Sequence, residues 1–134
     1  RVLPVPRVPG VCGTFRAVST RVLIVDDHPS FRASARLLLS SEGFEVVGEA
    51  EDGAGAIAAA AALRPEVVLL DVQLPDIDGF EVAQRLTCGG AGPAVVLTSS
   101  RDGADFGPLV AASGARGFVP KGELTGDALH ALVG

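Results

Sequence analysis

VLIVDD, at residues 22–27, is four branched apolar residues followed by two carboxylates. An apolar run of this length without polar alternation suits a strand buried on both faces of a sheet, and the two acids belong at the rim where the chain leaves it. A helix follows: His28, Pro29 and Ser30 supply its start, and Phe31, Ala35, Leu38 and Leu39 recur at i, i+4, i+7 and i+8, on one face, before Gly43 ends it. The alternation then repeats. EVVGEA (45–50) is strand-like, Asp52 is placed to cap an alanine-rich helix, and Arg64 and Pro65 stop that helix. VVLL (67–70) predicts a third strand, Phe80, Ala83 and Leu86 a third helix face, AVVLT (94–98) a fourth strand and residues 117–119 a fifth. Leu124, Ala128 and Leu132 space out a last helix at i, i+4 and i+8. Between the last two strands lie Gly103, Gly107 and Pro108. An interior proline costs a helix about 3 kcal/mol, so the fourth helix should be short, bent or mobile. Five strands alternating with five helices predict a doubly wound α/β domain, a parallel sheet covered by helices on both faces through right-handed crossovers.

At 134 residues, 48% hydrophobic and 20% charged, the chain suits one globular core and excludes a disordered or low-complexity polymer. Its net charge is −5, from eleven basic and sixteen acidic residues. Arg1, Arg7 and Arg16 precede Thr20 whereas every acid follows it, so the remainder sets eight bases against sixteen acids. That surface lacks the basic stripe that nucleic-acid binding needs. Residues 1–20, with Pro4, Pro6 and Pro9, no acid and no period, read as a flexible leader, and residues 21–134 as the domain. Prolines and arginines interrupt the apolar stretch that a secretory signal requires. No run reaches membrane-spanning length. Cys12 and Cys88 form no disulfide framework and read as free thiols in a reducing, cytoplasmic compartment.

The polar residues at the strand ends form a pattern. Asp26 and Asp27 end the first strand, Asp71 the third and Thr98 the fourth, and Lys121 follows the fifth. All should meet on one rim. Fully ionised carboxylates about 4 Å apart repel by roughly 4 kcal/mol per pair at an effective dielectric near 20. A divalent cation relieves this, and hard carboxylate oxygens with few other protein ligands suit Mg²⁺, which takes further ligands from water or phosphate. Each residue alone has a plainer reading: a solvated strand end for the acids, a surface charge for the chain's one lysine, a capping or packing role for His28. It is the combination at equivalent rim positions that points to phosphoryl chemistry. His130 has no His/Cys partner at zinc spacing, and Gly53-Ala54-Gly55 lacks the dinucleotide-binding spacing.

VDDHP (25–29), LLDVQLPDIDG (69–79), VVLTSS (95–100) and GFVPK (117–121) stand in the order of a known family. From residue 21 to 134 the chain resembles the receiver domain of bacterial two-component response regulators, and its Asp-Asp-His-Pro and Gly-Phe-Val-Pro-Lys segments most resemble the LuxR/NarL type. The resemblance implies a flavodoxin-like (βα)5 fold with strand order 2-1-3-4-5, for which the chemotaxis receiver is itself a standard example. It implies that Asp71 is the phosphoacceptor, that Asp27 ligates Mg²⁺ directly, that Asp26 acts mainly through metal-bound water and that Gln73 offers its backbone carbonyl to the metal. Thr98 and Lys121 would hold phosphoryl oxygens, and Phe118 would be the aromatic switch beside Thr98, with an ordinary core role as the plainer reading. Pro75 and Gly79 match the loop after the phosphoacceptor. The partners implied are a sensor histidine kinase, a second copy of the chain on phosphorylation, and DNA only through an output domain outside these residues, whether this is a stand-alone receiver or part of a longer regulator. Many receivers have proline after the lysine. Here Gly122 follows Lys121, so a trans bond is expected at that junction. Two other readings compete: a Mg²⁺-dependent phosphohydrolase, which would need a substrate pocket, and a receiver-like module that signals without phosphorylation, which would have lost an acid, the Thr or the Lys.

Overall fold

The structure, a computed structural model, describes residues 20–88, 92–100 and 107–133. β1 (Arg21–Val25), β2 (Glu45–Ala50), β3 (Val67–Asp71), β4 (Ala94–Ser99) and β5 (Gly117–Pro120) form one parallel sheet in the order β2-β1-β3-β4-β5. The helices α1 (Pro29–Ser41), α2 (Gly53–Leu63), α3 (Gly79–Thr87), α4 (Gly107–Ala112) and α5 (Gly126–Val133) alternate with the strands. This is the expected doubly wound, flavodoxin-like arrangement.

Two cores result from the period of two along each strand. Val22, Ile24, Val67, Leu69, Val96 and Val119 face one side, where they meet Ala35 and Leu39 of α1 and Leu129 of α5. Leu23, Val25, Val68, Leu70, Val95 and Leu97 face the other, against Ala56 of α2 and Val82 and Ala83 of α3. Because both faces are covered, β1 and β3 carry no polar alternation: all five residues of β3 are buried.

Helix ends follow their local chemistry. Asp52 caps α2 by accepting from Gly55 N at 2.7 Å. Arg64 closes it in the left-handed region (φ 48°), and the Arg21 guanidinium binds the carbonyls of Leu63 and Arg64, a cation at the negative end of the helix. Gly43, at φ 96°, carries the turn after α1. α4 is six residues long and buries none of them, in keeping with its Gly107-Pro108 start; Gly103 lies outside the described residues.

One boundary differs from the sequence reading. Leu124 is not on the last helix: a 3-10 turn (Lys121–Glu123) intervenes, and α5 begins at Gly126, after Thr125 Oγ1 accepts from Ala128 N at 3.0 Å. Leu124 is nonetheless buried in the α1/α5 core, so its apolar signal was real while its helical period was not. The Lys121–Gly122 bond is trans, as expected, there being no cis peptide among the described residues. The leader reading of residues 1–20 falls almost wholly outside the described residues, of which the first is Thr20. No helix among the described residues is long and apolar enough to cross a membrane.

Candidate functional site at the carboxyl ends of the strands

The parallel register sets the site. Asp71 ends β3 directly beside Thr98 on β4, and Thr98 pairs in turn with Val119 on β5. Asp26 follows β1, its N–H bonded to Ala50 O at 3.0 Å, which prolongs the β1–β2 ladder by one residue and carries the side chain to the same rim. One oxygen from each of Asp26, Asp27 and Asp71, together with a nitrogen of His28, lie within 4.8 Å of one another.

Asp26 is fully buried and Asp71 is 2% exposed, an expensive placement for two acids. Lys121 is the counter-charge: its Nζ is 2.6 Å from Asp26 Oδ2 and 3.5 Å from Asp71 Oδ2. Its ammonium also stands 4.6 Å from the centroid of the Phe31 ring, which orders the long side chain over an apolar floor. One lysine does not satisfy the pair. Burial first, and the Asp26 charge second, push the Asp71 carboxyl above the ordinary carboxylate range, against the Gln73 N–H (3.2 Å to Oδ1) and Lys121, which pull it down. Asp26 Oδ2, buried, accepts no hydrogen bond, the approach of Lys121 being close but skewed. Three carboxylates that converge on one rim, two of them buried and sharing a single lysine, are the donor set that a hard divalent cation such as Mg²⁺ completes, so the residues present fit that ion.

The remaining expected residues are placed as follows. The Thr98 hydroxyl, fully buried, donates to Val119 O at 2.6 Å and so is engaged with β5. Phe118 pairs in register with Leu97 and is partly buried against the α2/α3 core. Gln73 is exposed, two residues past Asp71, and its backbone N–H binds the Asp71 carboxylate. Gly79 is required at the loop's return: a Cβ there would stand 2.3 Å from Asp71 O, and its N–H binds Val72 O at 2.7 Å.

Three residues of this region escape sequence reasoning. Arg32 Nη1 donates to Asp26 O at 2.5 Å and Phe31 lies under Lys121, although the helical face alone suggests only packing for the ring. Asp76, in the loop after β3, accepts from Gly53 N (2.8 Å) and Ala54 N (2.9 Å) at the start of α2, and these N–H groups, aided by that of Ile77, hold its carboxyl down at about 2. The available signal was that the first turn of α2 contains no acid of its own.

Comparison with known proteins agrees with the fold. The model of the response regulator receiver domain family matches residues 22–133. A Pseudomonas aeruginosa protein named as a transcriptional regulator is 41% identical over 112 residues, which is 84% of this chain and 54% of that protein. The chain spans about half the length of the curated relatives it matches. The signal receiver domain of NarL from Mycobacterium tuberculosis superposes with a TM-score of 0.76 at 36% identity, covering 87% of this chain and 98% of that one. A LuxR-family two-component response regulator from Aurantimonas superposes at 0.78 with 28% identity, over 86% and 85% of the two chains. Family model, sequence identity and fold coincide, and the chain belongs to the response regulator receiver domain family.

Proposed function

We propose that this receiver takes a phosphoryl group from a sensor histidine kinase onto Asp71 and uses it to reset a protein-interaction surface. The observation that carries the reading is Lys121 bridging buried Asp26 and Asp71 at a rim where Asp71 and Thr98 are neighbours in register. Asp71 attacks phosphorus: its oxygen forms the new O–P bond, the N–P bond of the donor phosphohistidine breaks, and the released imidazole takes a proton from water. Burial raises the basicity of the Asp71 oxygen and strips it of water, which suits it to attack. Asp26, Asp27, Asp71 and the Gln73 backbone carbonyl would hold Mg²⁺, which when bound supplies positive charge to the transferring phosphoryl oxygens.

Lys121 supplies a pre-aimed cation for one phosphoryl oxygen, at the expense of its bond to Asp71. Thr98 would give up its bond to Val119 O for another, and the adjacent Phe118 then repacks against the α2/α3 core. The phosphoryl group adds about −1.5 to −2 charge to the rim, enough to bias such a two-state element. The altered face would pair with a second copy of the chain. Control of transcription, in keeping with the named regulator among the relatives, would run through a DNA-binding output domain, in the cytoplasm. Here the domain signals as a phosphoacceptor and does not turn over a diffusible substrate.

The test is intact mass after incubation with acetyl phosphate, with and without Mg²⁺, on wild type and Asp71→Asn. A single phosphoryl adduct that requires Mg²⁺ and Asp71 is expected. No adduct from acetyl phosphate or from a phosphorylated histidine kinase would leave the phosphorylation-independent module, and steady release of inorganic phosphate from phosphoesters would make the domain a hydrolase.

A further inference from the structure

We propose that His28 is a further ligand of the cation site, giving an otherwise all-oxygen set a nitrogen donor that favours Co²⁺ and Zn²⁺ over Mg²⁺. The inference rests on the reading above that the rim carboxylates hold a divalent cation, and it adds to them a residue whose plainer role would be helix capping.

The geometry carries it. His28 is the N-cap of α1, in extended conformation, and its backbone N–H binds Asp26 Oδ1 at 2.8 Å, which folds the residue back over the acids. Its ring Nδ1 is hydrogen-bonded to Asp26 Oδ1 at 2.9 Å and lies 3.1 Å from Asp27 Oδ1, so a cation bound there would take the place of the shared proton. Adjacent ligands about 2.1 Å from an octahedral ion are separated by about 3.0 Å, so these separations are those of neighbouring donors on one ion. The imidazole is not used for capping: the N-cap side chain makes no hydrogen bond to the first turn. It is 63% exposed, so what holds the ring over the rim is its bonding to the two carboxylates and not core packing.

The other histidine behaves differently. His130 stacks on Phe44 with ring centroids 4.5 Å apart, and it lines a cavity with Thr20, Glu66 and Pro93, residues that flank the starts of β1, β3 and β4, opposite the acidic rim. A nitrogen coupling to a bound ion would therefore report on His28. Carboxylates and carbonyls suit Mg²⁺ and Mn²⁺ alike, whereas imidazole adds affinity for the later divalent cations of the first transition row.

Pulsed EPR of the Mn²⁺-loaded protein is the direct test, since a ligating imidazole imprints ¹⁴N modulation on the echo. The wild type is expected to show it and His28→Ala to lose it while still binding Mn²⁺. Calorimetric titration should then show Zn²⁺ affinity falling about tenfold or more in His28→Ala, with Mg²⁺ affinity nearly unchanged. Bound Mn²⁺ without ¹⁴N modulation in the wild type, or modulation that persists in His28→Ala, overturns the assignment and leaves the carboxylate site standing. A wild type that binds no Mn²⁺, or binds it as well after Asp27→Asn, overturns the carboxylate site and this inference with it. The wild-type spectrum decides the main point without any variant.

Discussion

The β1–β3 centre of the sheet and its β5 edge are built to different standards. All five residues of β3 are buried and α3 lays Val82 and Ala83, both fully buried, against the sheet. β5 buries only Val119, and the six-residue α4 beside it has no fully buried residue, packs Val110 only partly against the core and leaves Leu109 52% exposed. The site straddles this difference. Its acids, Asp26, Asp27 and Asp71, come from the packed centre, while Lys121 and Phe118 come from the thin edge. Fixed charges that must hold a reacting centre in place need strands locked on both faces. Groups that must answer a new charge need surroundings with little packing energy to lose.

Substitutions can break or sharpen that contrast. Leu69→Ala, in the middle of β3, should cost about 2–5 kcal/mol, whereas Leu109→Ala on α4 should stay within about 0.5 kcal/mol. Equal losses in urea unfolding would mean that the edge is packed as firmly as the centre. Next in size is Gly79→Ala, whose Cβ would meet Asp71 O at 2.3 Å. The strand end or the loop must shift, at about 1–3 kcal/mol, and the acetyl phosphate adduct should form more slowly. An unchanged rate and stability would show that the loop gives way without moving Asp71.

Asp71→Asn acts in the opposite direction. The folded Asp71 carboxyl lies above its unfolded value, so the folded state favours the proton: that contribution is complete below about pH 4 and is lost as pH rises through the raised folded value. At pH 7 the ionised carboxylate therefore weakens the fold, and Asp71→Asn should raise stability, a gain that shrinks toward pH 4. A loss at pH 7 would mean that Lys121 more than compensates the buried charge. The smallest effect concerns Asp76, depressed to about 2 by the N–H groups at the start of α2. Its contribution is present above about pH 4 and disappears as pH falls toward 2. Asp76→Asn should remove that contribution, lowering stability slightly above about pH 4 and flattening the acid-unfolding curve between about pH 4 and 2. An identical acid limb in the two proteins would show that the loop and α2 are not coupled through this carboxylate.

Most of the architecture was legible because fully buried parallel strands leave an unusual mark. VLIV at 22–25 and VVLL at 67–70 have no polar position to disguise them, and the residues that end them, Asp26, Asp27 and Asp71, are set at the rim by chain direction alone. Thr98 and Lys121 were readable for the same reason. Leu124 was not, because a spacing of i, i+4, i+8 is satisfied equally by a residue buried from a 3-10 turn just outside the helix.

The sequence by itself therefore determined which residues reach the rim, since strand period and polarity are local properties. Only the tertiary structure decided how they meet there. Lys121 lies 2.6 Å from Asp26 and above Phe31, Arg32 bonds the Asp26 carbonyl, and His28 Nδ1 sits between two carboxylates. Asp76 reaches the start of α2 across 23 residues. The Lys121 and Asp76 contacts join segments far apart in the chain, and no periodicity encodes them; they arise when helices pack over a twisted sheet and bring one loop against another. The two local ones, at His28 and Arg32, depend on side-chain orientation at the start of α1, which that packing also sets.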